Sequence, residues 1–386
     1  MLKLSGRIDP IRQREDARTA LLTITTDPSL PVGIRDRFAL LTDQPRDVTG
    51  YGAQLVSNSL EPIESPLPDA TIYQLPNHFN YLKSGDIVYI DASRQFLNTL
   101  FRKGSHHNSI LLTEQCNSYC LMCSQPPKKI DDSYLLRRAL ELIKLIPKDA
   151  QRLGFTGGEP TLYGDSLIDL IKQTKLQLPC TSVDLLSNGR RFKDKEFARR
   201  FGAIKHPDCT IAVPVYSDDP VRHDYVVQAL GAFDETIQGI LNLKRFGQKV
   251  EIRIVLHRQT IDRLVQTCEF ICRNLLFVDH VALMGLEITG FTRANLDLLW
   301  IDPYDYKDTL SEAVHILTSY GLNTSVYNHQ LCVVNRDVEG SCCKSISDWK
   351  NEYLESCASC TRKCECGGFF SSSKLYKHSS HITPFV

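Results

Sequence analysis

The 386-residue sequence has no long apolar run and no excess of charge of either sign. Its 45 basic and 45 acidic residues give a formal net charge of zero, so no basic surface indicates nucleic acid binding and no acidic tail indicates disorder. No stretch approaches the roughly 18 apolar residues of a membrane span, and the first residues lack the apolar core of a signal peptide. We therefore expect a cytoplasmic protein with no membrane and no nucleic acid partner.

Cysteine, by contrast, is abundant, with 14 residues. Because the cytoplasm is reducing, disulfides are not the expected use of these thiols. Three cysteines lie within residues 116–123 and seven lie within residues 332–366. Clustering of this kind in a reducing compartment favours metal binding.

The apolar pattern divides the chain into three regions. Residues 1–105 contain short apolar alternations between turns, which predicts a small, mostly β domain. Over residues 106–302, short buried strands alternate with amphipathic helices. The predicted strands are 109–113, 152–158, 182–189, 210–218, 250–256 and 280–288. This rhythm predicts a parallel α/β sheet, and six units are too few for a closed eight-stranded barrel. We therefore predict a partial (β/α)6 TIM barrel, followed over residues 303–386 by a helix and a cysteine-rich region.

The first cysteine cluster has the pattern C-x3-C-x2-C and follows the first predicted strand. Its members are Cys116, Cys120 and Cys123. Thiolates at this spacing suit zinc or an iron–sulfur cluster. A structural zinc site has four ligands, so three thiolates in one loop favour a [4Fe-4S] cluster with one iron left open. The alternative is zinc with a remote fourth ligand.

A second motif, GFTGGEPTL, follows the second predicted strand. Gly157 and Gly158 leave the backbone bare for a ligand, Glu159 offers a carboxylate, and Pro160 fixes the turn. Bare backbone beside a carboxylate suits a ligand that carries an ammonium group. We expect both motifs to meet at the carboxyl ends of the strands, where folds of this type bind ligands.

These two motifs in a βα series resemble those of the radical S-adenosylmethionine (SAM) superfamily. The resemblance implies a [4Fe-4S] cluster on Cys116, Cys120 and Cys123, with SAM bound to the open iron. It further implies that an electron from a donor such as flavodoxin or ferredoxin cleaves SAM, and that the resulting 5′-deoxyadenosyl radical takes a hydrogen atom from the substrate. Met122 stands where the family commonly has an aromatic residue and keeps an apolar cover over the cluster.

The resemblance also implies SAM contacts at the other strand ends. The matching positions are Ser187, Asn188, Ser217, Arg253 and Ile288. Ser187 and Asn188 match ribose contacts, Arg253 matches a contact to the SAM carboxylate, and Ile288 matches an apolar platform for adenine. Arg253 has a structural alternative, because an inward arginine also pairs with neighbouring side chains.

The C-terminal cysteines form a second candidate metal site. Cys357-x2-Cys360 is a paired metal clamp, and the region resembles the auxiliary-cluster extensions of peptide-modifying radical SAM enzymes. The resemblance implies a second, auxiliary [4Fe-4S] cluster. A zinc ribbon is the alternative, because four-cysteine zinc sites share these spacings.

The most specific similarity spans residues 105–386 and is to the HxsC family, the radical SAM maturases of the His-Xaa-Ser peptide system. The similar segments are TEQCNSYCLMCSQPPK, GFTGGEPTL, IRIVLHRQT, KSISDWKNEYL and CGGFF. The tail cysteines that match are Cys332, Cys357, Cys360 and Cys366. The resemblance implies a ribosomally synthesised His-Xaa-Ser precursor peptide as substrate and a companion radical SAM maturase as partner. A radical SAM enzyme for a small molecule or RNA, and a non-enzymatic zinc or iron–sulfur scaffold, are the open alternatives.

Overall fold

The computed structural model describes residues 2–15, 17–57, 70–345 and 351–386. A first sheet is built in the N-terminal region. Its strands are β1 (Ser5–Arg7), β2 (Asp9–Arg12), β3 (Ala20–Thr25), β4 (Phe38–Thr42), β5 (Ala53–Val56), β6 (Ile72–Gln74), β7 (Ile87–Asp91) and β8 (Phe96–Phe101). The apolar alternations of the sequence are confirmed here as strands, because YGAQLVSN contains β5, ATIYQL contains β6 and GDIVYIDA contains β7.

One stretch of chain joins the two edges of this first sheet. The strand order is β1-β8-β7-β3-β4-β5-β6-β2, and only Ile8 separates β1 from β2. β1 pairs with β8 and β2 pairs with β6, both antiparallel. Residues 5–12 therefore run along both edges and close the sheet around a core that includes Leu22, Leu55 and Phe79. Within the described part of this first sheet, the edges open to strand addition by a peptide are the short strands β1 and β2.

The second sheet is parallel throughout. Its strands are β9 (His107–Thr113), β10 (Arg152–Gly157), β11 (Ser182–Leu186), β12 (Cys209–Pro214), β13 (Lys249–Leu256), β14 (His280–Gly285), β15 (Thr324–Tyr327) and β16 (Cys342–Cys343). They lie side by side in chain order. The six predicted strands are confirmed as β9 to β14. The region after residue 302 adds β15 and β16, which are too short to give an apolar pattern in the sequence.

Eleven α-helices are present in the described chain, and the longer ones between the strands pack against the sheet. They are α1 (Ser133–Leu145), α2 (Asp165–Gln177), α3 (Lys195–Gly202), α4 (Pro220–Val227), α5 (Ala232–Arg245), α6 (Arg258–Ile261), α7 (Leu264–Asn274), α8 (Phe291–Ala294), α9 (Leu296–Leu299), α10 (Lys307–Ser319) and α11 (Ser371–Tyr376). On β13, Val250, Ile252 and Ile254 are buried in the core with the helices, so the alternate residues Glu251 and Arg253 lie on the opposite, inner face. None of the helices in the described chain is both long and apolar enough to cross a bilayer.

The parallel sheet is strongly curved. β9 and β14 are five strand spacings apart, roughly 24 Å in a flat sheet. Nevertheless the backbone N–H of Phe291, after β14, donates a hydrogen bond of 2.8 Å to the carbonyl oxygen of Cys123, after β9. The sheet must therefore curl so that its strand-end loops meet, as in an open barrel. This confirms the predicted α/β fold, a partial TIM barrel with a cysteine-rich C-terminal region.

We predict that Ile252→Ala lowers the free energy of unfolding by about 2–5 kcal/mol, because it removes a side chain buried between β13 and the helices. Urea denaturation followed by circular dichroism measures the change. Val32→Ala is the control, since the Val32 side chain is 72% exposed and its loss should change the stability by less than about 0.5 kcal/mol. Equal effects of the two substitutions would contradict the assignment of Ile252 to the core.

Candidate metal and cofactor site

The three cysteines of the first cluster lie close together in the loop that leaves β9. Burial, together with the other two sulfurs, raises the pKa of Cys120 to about 12. Burial also raises the pKa of Cys116 to about 11, with a further contribution from Cys123. Thiols grouped in so poorly hydrated a site become thiolates when a metal compensates their charge.

This donor set fits an iron–sulfur cluster. Thiolates are soft ligands that iron–sulfur clusters and zinc both accept. Among the described residues, no group of three His, Cys, Asp or Glu side chains is arranged to hold one metal ion. The thiolates of a [4Fe-4S] cluster each bind a different iron, so they do not have to converge on one point. Cys116, Cys120 and Cys123 would hold three irons and leave the fourth open.

Residues that follow β14 hold the cysteine loop from one side. The carbonyl oxygens of residues 121–123 accept hydrogen bonds from Asn295 Nδ2 (2.9 Å), Thr292 Oγ1 (3.0 Å) and the backbone N–H of Phe291 (2.8 Å), respectively. Gly290 makes this approach possible, because a Cβ atom there would lie 2.3 Å from the nearest of these oxygens. The position of the metal site is thus fixed through backbone atoms by a distant part of the chain.

Arg190 holds the cysteine loop from another side. Its Nη1 donates to the carbonyl oxygen of Asn117 (2.7 Å) and to Ser118 Oγ (3.1 Å), while its Nε donates to Glu235 Oε2 on α5 (2.7 Å). The sequence analysis did not single out Arg190. The sequence feature that could have identified Arg190 is its position directly after SNG, at the end of the third barrel strand. Polar residues at strand ends face the ligand side of such a sheet.

Asp132 fixes the start of the cysteine loop and was also missed. Its fully buried carboxylate accepts hydrogen bonds from the backbone N–H of Glu114 (2.5 Å), Thr113 Oγ1, Gln115 Nε2 (3.1 Å) and Tyr163 OH (2.8 Å). Although burial raises its pKa, these donors hold the pKa of Asp132 below its ordinary value. The sequence feature that could have identified Asp132 is the position of an acidic residue just before a predicted helix.

The glycine pair after β10 is packed against the cysteine loop. A Cβ atom on Gly158 would lie 2.0 Å from the carbonyl oxygen of Gln115, and one on Gly157 would lie 2.3 Å from that of Thr113. Gly157 also has a φ of +150°, which favours glycine. The protein's own backbone therefore already requires glycine at both positions. That the pair contacts SAM stays a prediction.

Glu159 is a completely buried carboxylate that joins the ends of β10 and β11. Its Oε1 accepts hydrogen bonds from Thr161 N (3.0 Å), Thr161 Oγ1 (2.5 Å) and Ser187 Oγ (2.8 Å), and its Oε2 accepts one from Asn188 N (2.6 Å). Burial raises the pKa of Glu159, and these donors oppose the shift. Glu159 also caps the turn Pro160–Tyr163, in which proline takes the first position. Both oxygens are thus engaged within the protein.

The predicted SAM contacts at the other strand ends differ in their surroundings. Asn188 reaches the cysteine loop, because its Nδ2 donates to Asn117 Oδ1 at 2.6 Å. Ser217 is fully buried, and its Oγ accepts a hydrogen bond from the N–H of Asp219 at the start of α4 (3.1 Å). Ile288 is 1% exposed. Their contacts with SAM stay predictions, and Asn188 is the one that directly adjoins the metal site.

Arg253 lies on the inner face of β13 in an ion pair. Its Nε donates to Glu251 Oε1 at 2.5 Å. The structural alternative of the sequence analysis is therefore present, since the arginine does pair with a strand neighbour. A contact to the SAM carboxylate stays a prediction.

The structure brings four tail cysteines around one enclosed cavity. They are Cys332, Cys357, Cys360 and Cys366, the four that the sequence similarity selects. The walls of the cavity also include Tyr353, Phe369, Ile382, Pro384 and Phe385. Cys342 and Cys343 form β16, and Cys364 is exposed, so these three lie outside the lining. Part of the similar segment KSISDWKNEYL, residues 346–350, lies outside the described residues.

The C-terminal residues connect this cavity to the barrel. The segment 382–385 contributes to the cavity wall. Just before it, the ring of His381 stacks on Tyr304 at a centroid distance of 4.0 Å, and Ser380 N donates to Asp302 Oδ2 (3.3 Å). The segment that forms part of the cavity wall is therefore held, through these contacts, against the residues that follow α9.

Residues 110–271 match the family model of the Radical SAM superfamily. These residues are a radical SAM domain. The domain begins in β9, includes the cysteine loop and the GGEP turn, and ends in α7. A domain of this superfamily implies a [4Fe-4S] cluster and SAM, which agrees with the donor set of the cysteine loop.

Two curated relatives align with parts of the chain. GTP 3′,8-cyclase of Aquifex aeolicus (strain VF5) is 28% identical over 155 residues, which are 38% of this chain and 46% of that protein. The pyruvate formate-lyase-activating enzyme of Clostridium pasteurianum is 23% identical over 201 residues, which are 49% of this chain and 80% of that protein. The chain thus spans less than half the length of the first relative.

Among solved structures, SuiB from Streptococcus suis bound to SAM superposes with a TM-score of 0.47 at 17% identity, covering 58% of this chain and 51% of that chain. A likeness of this extent carries no argument about function. The fold assignment depends instead on the family match and on the parallel sheet itself.

We predict that Gly158→Ala lowers the iron content after anaerobic reconstitution, because the added Cβ pushes the Gln115 carbonyl and the cysteine loop out of place. Overpacking of this kind also destabilises the fold by about 1–3 kcal/mol. Iron analysis and thermal unfolding measure the two effects. Gly104→Ala is the matched control, since no atom lies within 4 Å of a Cβ at Gly104. Normal iron loading of Gly158→Ala would show that this glycine does not position the metal site.

Proposed function

We propose that this chain is a radical SAM enzyme that cleaves SAM reductively at a [4Fe-4S] cluster on Cys116, Cys120 and Cys123. We further propose that it modifies a ribosomally synthesised precursor peptide with His-Xaa-Ser repeats. The first part is supported by three thiols that are grouped at the carboxyl ends of parallel strands and held in place by neighbouring strand-end loops. The peptide part is supported by the sequence similarity over residues 105–386 and by the four-cysteine cavity within that region.

When bound, the cluster and SAM supply a one-electron cleavage and the abstraction of a hydrogen atom from the substrate. The protein contributes the three thiolates and a rigid loop, since the carbonyl groups of residues 121–123 are held by side-chain and backbone donors. It also excludes water. Met122, Tyr216, Val226 and Val227 form a buried apolar group against Cys120, and limited solvent access affects the reduction potential of such a cluster.

In this proposal SAM binds along the carboxyl ends of β10 to β14. The residues that would border it are Gly157, Gly158, Glu159, Pro160, Ser187, Asn188, Ser217, Arg253 and Ile288. Glu159 acts here by positioning rather than by direct contact, because its carboxylate already accepts four hydrogen bonds from the protein. Asn188, between Glu159 and the cysteine loop, is the side chain best placed to contact a ligand of the metal site.

We propose that the tail cavity holds an auxiliary [4Fe-4S] cluster on Cys332, Cys357, Cys360 and Cys366. Four thiols around an enclosed, largely apolar cavity are a suitable donor set for such a cluster. Burial raises the pKa of the Cys332 thiol, with further contributions from Cys366 and Cys357. Zinc is the competing occupant, since it accepts the same four ligands.

The electron donor in this proposal is a flavodoxin or a ferredoxin, and a companion radical SAM maturase acts on the same peptide. Both partners follow from the family resemblance.

A nucleotide is the second candidate substrate. The relatives include a GTP 3′,8-cyclase and a protein named S-adenosylmethionine-dependent nucleotide dehydratase from Siniperca chuatsi, 34% identical over 94 residues that are 25% of its length. These alignments cover only part of each relative, and the segments similar to HxsC continue beyond them to the tail. We therefore favour the peptide.

Replacement of Cys116, Cys120 and Cys123 together by alanine should abolish reductive SAM cleavage, because no thiolate then holds the cluster. Iron should fall from about eight to about four atoms per chain if both clusters are present. Dithionite-driven formation of 5′-deoxyadenosine and iron analysis measure these changes. Cys180→Ala, at an exposed cysteine, is the control and should behave as the wild-type enzyme. Cleavage that survives the triple replacement would refute the assignment.

The double variant Cys357→Ala/Cys360→Ala should lose the auxiliary cluster and keep the first one. We expect about four irons per chain and continued SAM cleavage, because the two cysteine sets occupy separate parts of the structure. Cys364→Ala is the matched control, since this tail cysteine lies outside the cavity lining. About four irons with about four acid-labile sulfides per wild-type chain, together with one zinc that the double variant loses, would overturn the auxiliary-cluster proposal.

Mass spectrometry separates the two candidate substrates. A His-Xaa-Ser precursor peptide co-expressed with the wild-type protein should change in mass, and the same peptide co-expressed with the Cys116, Cys120 and Cys123 variant should not. A peptide that stays unmodified, combined with consumption of GTP by the reconstituted enzyme, would replace the peptide by a nucleotide.

A further inference from the structure

Arg190 brings a positive charge directly against the cysteine loop. In the part of the chain that the structure describes, it is the one cationic side chain that donates hydrogen bonds to residues 116–123. Its Nη1 bridges the carbonyl oxygen of Asn117 (2.7 Å) and Ser118 Oγ (3.1 Å), which lie between the first two cysteines of the loop. Ser118 is 3% exposed, so the guanidinium is in contact with a part of the loop that is shielded from water.

The charge of Arg190 is only partly balanced within the protein. Its Nε donates to Glu235 Oε2 at 2.7 Å, while Lys193 Nζ is bound to Oε1 of the same carboxylate. Two cations therefore share one anion, and the group of Arg190, Lys193 and Glu235 has one net positive charge. The side chains of Arg190 and Glu235 are 14% and 25% exposed, so water and salt screen their charges less than those of a surface pair.

The other charged groups bound at the start of the cysteine loop, within the described residues, do not supply a net positive charge. Asp132 accepts a hydrogen bond from the backbone N–H of Glu114, and its carboxylate is ionised because hydrogen-bond donors hold its pKa below the ordinary value. Lys128 and Glu114 form an ion pair at 2.6 Å and are neutral together. The group that contains Arg190 is therefore the positive contribution among the charges that hold this loop.

We propose that the positive charge of Arg190 makes the cluster of the cysteine loop easier to reduce. This inference rests on the proposed function, because it concerns a cluster that Cys116, Cys120 and Cys123 would hold. The step is the transfer of one electron to the oxidised cluster from a flavodoxin or ferredoxin, or from dithionite in vitro. No bond forms or breaks in this step, so the site gains one negative charge. A cation held close to the ligand loop stabilises that charge and raises the reduction potential.

Substitutions separate the charge of Arg190 from its hydrogen bonds. Arg190→Lys keeps the positive charge without the planar fork of donors, whereas Arg190→Gln keeps an N–H donor without the charge. Glu235→Gln removes the opposing charge and keeps an oxygen that can accept the hydrogen bond from Arg190 Nε. An effect of charge therefore predicts shifts of opposite sign for Arg190→Gln and Glu235→Gln. A role in holding the loop alone does not predict opposite signs.

Dye-mediated redox titration of the reconstituted full-length protein, followed by electron paramagnetic resonance, tests this inference. The signal of the first cluster is recognised because added SAM changes it, and the titration itself is done without SAM. Arg190→Gln should make reduction about ten-fold less favourable, which is a shift of about 59 mV to more negative potential for one electron. Glu235→Gln should shift the potential in the positive direction, and Arg190→Lys should stay close to the wild-type value.

Arg199→Gln is the matched control and should leave the potential unchanged. Arg199 also pairs with a glutamate, Glu196, at 2.6 Å, but its side chain is 57% exposed. Equal potentials for the wild-type protein, Arg190→Gln and Glu235→Gln at equal iron content would overturn the inference and leave the proposed function intact. Shifts of the same sign in the last two would overturn it as well. If Arg190→Gln does not load iron, Glu235→Gln decides alone, since it keeps the guanidinium. A wild-type protein that forms no iron–sulfur cluster would instead refute the proposed function, and the inference with it.

Discussion

The buried carboxylate of Glu159 is the interaction on which the ligand side of the barrel depends. A charge at 0% exposure is stable only when hydrogen bonds replace the water that it has lost. Here the donors come from the GGEP turn and from the first two residues after β11, so the two strand ends have a single relative position. Asn188, fixed in this way, then contacts the cysteine loop. The conformation of the cysteine loop thus depends on a buried carboxyl group that contacts no cysteine.

The α/β fold of the radical SAM domain was predictable from the sequence because its signals are local, whereas the first metal site stays a prediction. The periodicity of apolar residues predicted strands β9 to β14. The spacing of Cys116, Cys120 and Cys123 indicated a candidate metal site. Contacts between distant residues were not predictable in this way. The bonds of Arg190 and Thr292 to the cysteine loop exist only once the sheet has curved, and β15 and β16 carry too few residues to show a period. The structure adds packing against the loop backbone as a reason for the GGEP glycines, beside the predicted access for a ligand.

In the C-terminal region, too, the spacing of cysteines in the sequence does not show which of them lie close together in the structure. Seven cysteines within residues 332–366 permit several sets of four, and spacing alone does not choose among them. The fold does so by placing Cys332, far along the chain from the other three, at the cavity that they share. Cys342 and Cys343 lie in β16, and neither they nor Cys364 belong to the lining of this cavity. The four thiols that line the cavity are the four that the sequence similarity indicates, and their role as ligands of a cluster stays a prediction.

The hydrogen bond between Thr292 and the carbonyl of Met122 joins residues that are 170 positions apart. During synthesis, the cysteine triplet leaves the ribosome long before the segment that will hold it in place. For that interval the three thiols are exposed to oxidants and to stray metal ions without a rigid loop around them. If the proposed cluster binds here, its loop becomes rigid only after the barrel has curled far enough for its first and sixth strand ends to meet. Loading of that cluster would then be coupled to the late, long-range stage of folding.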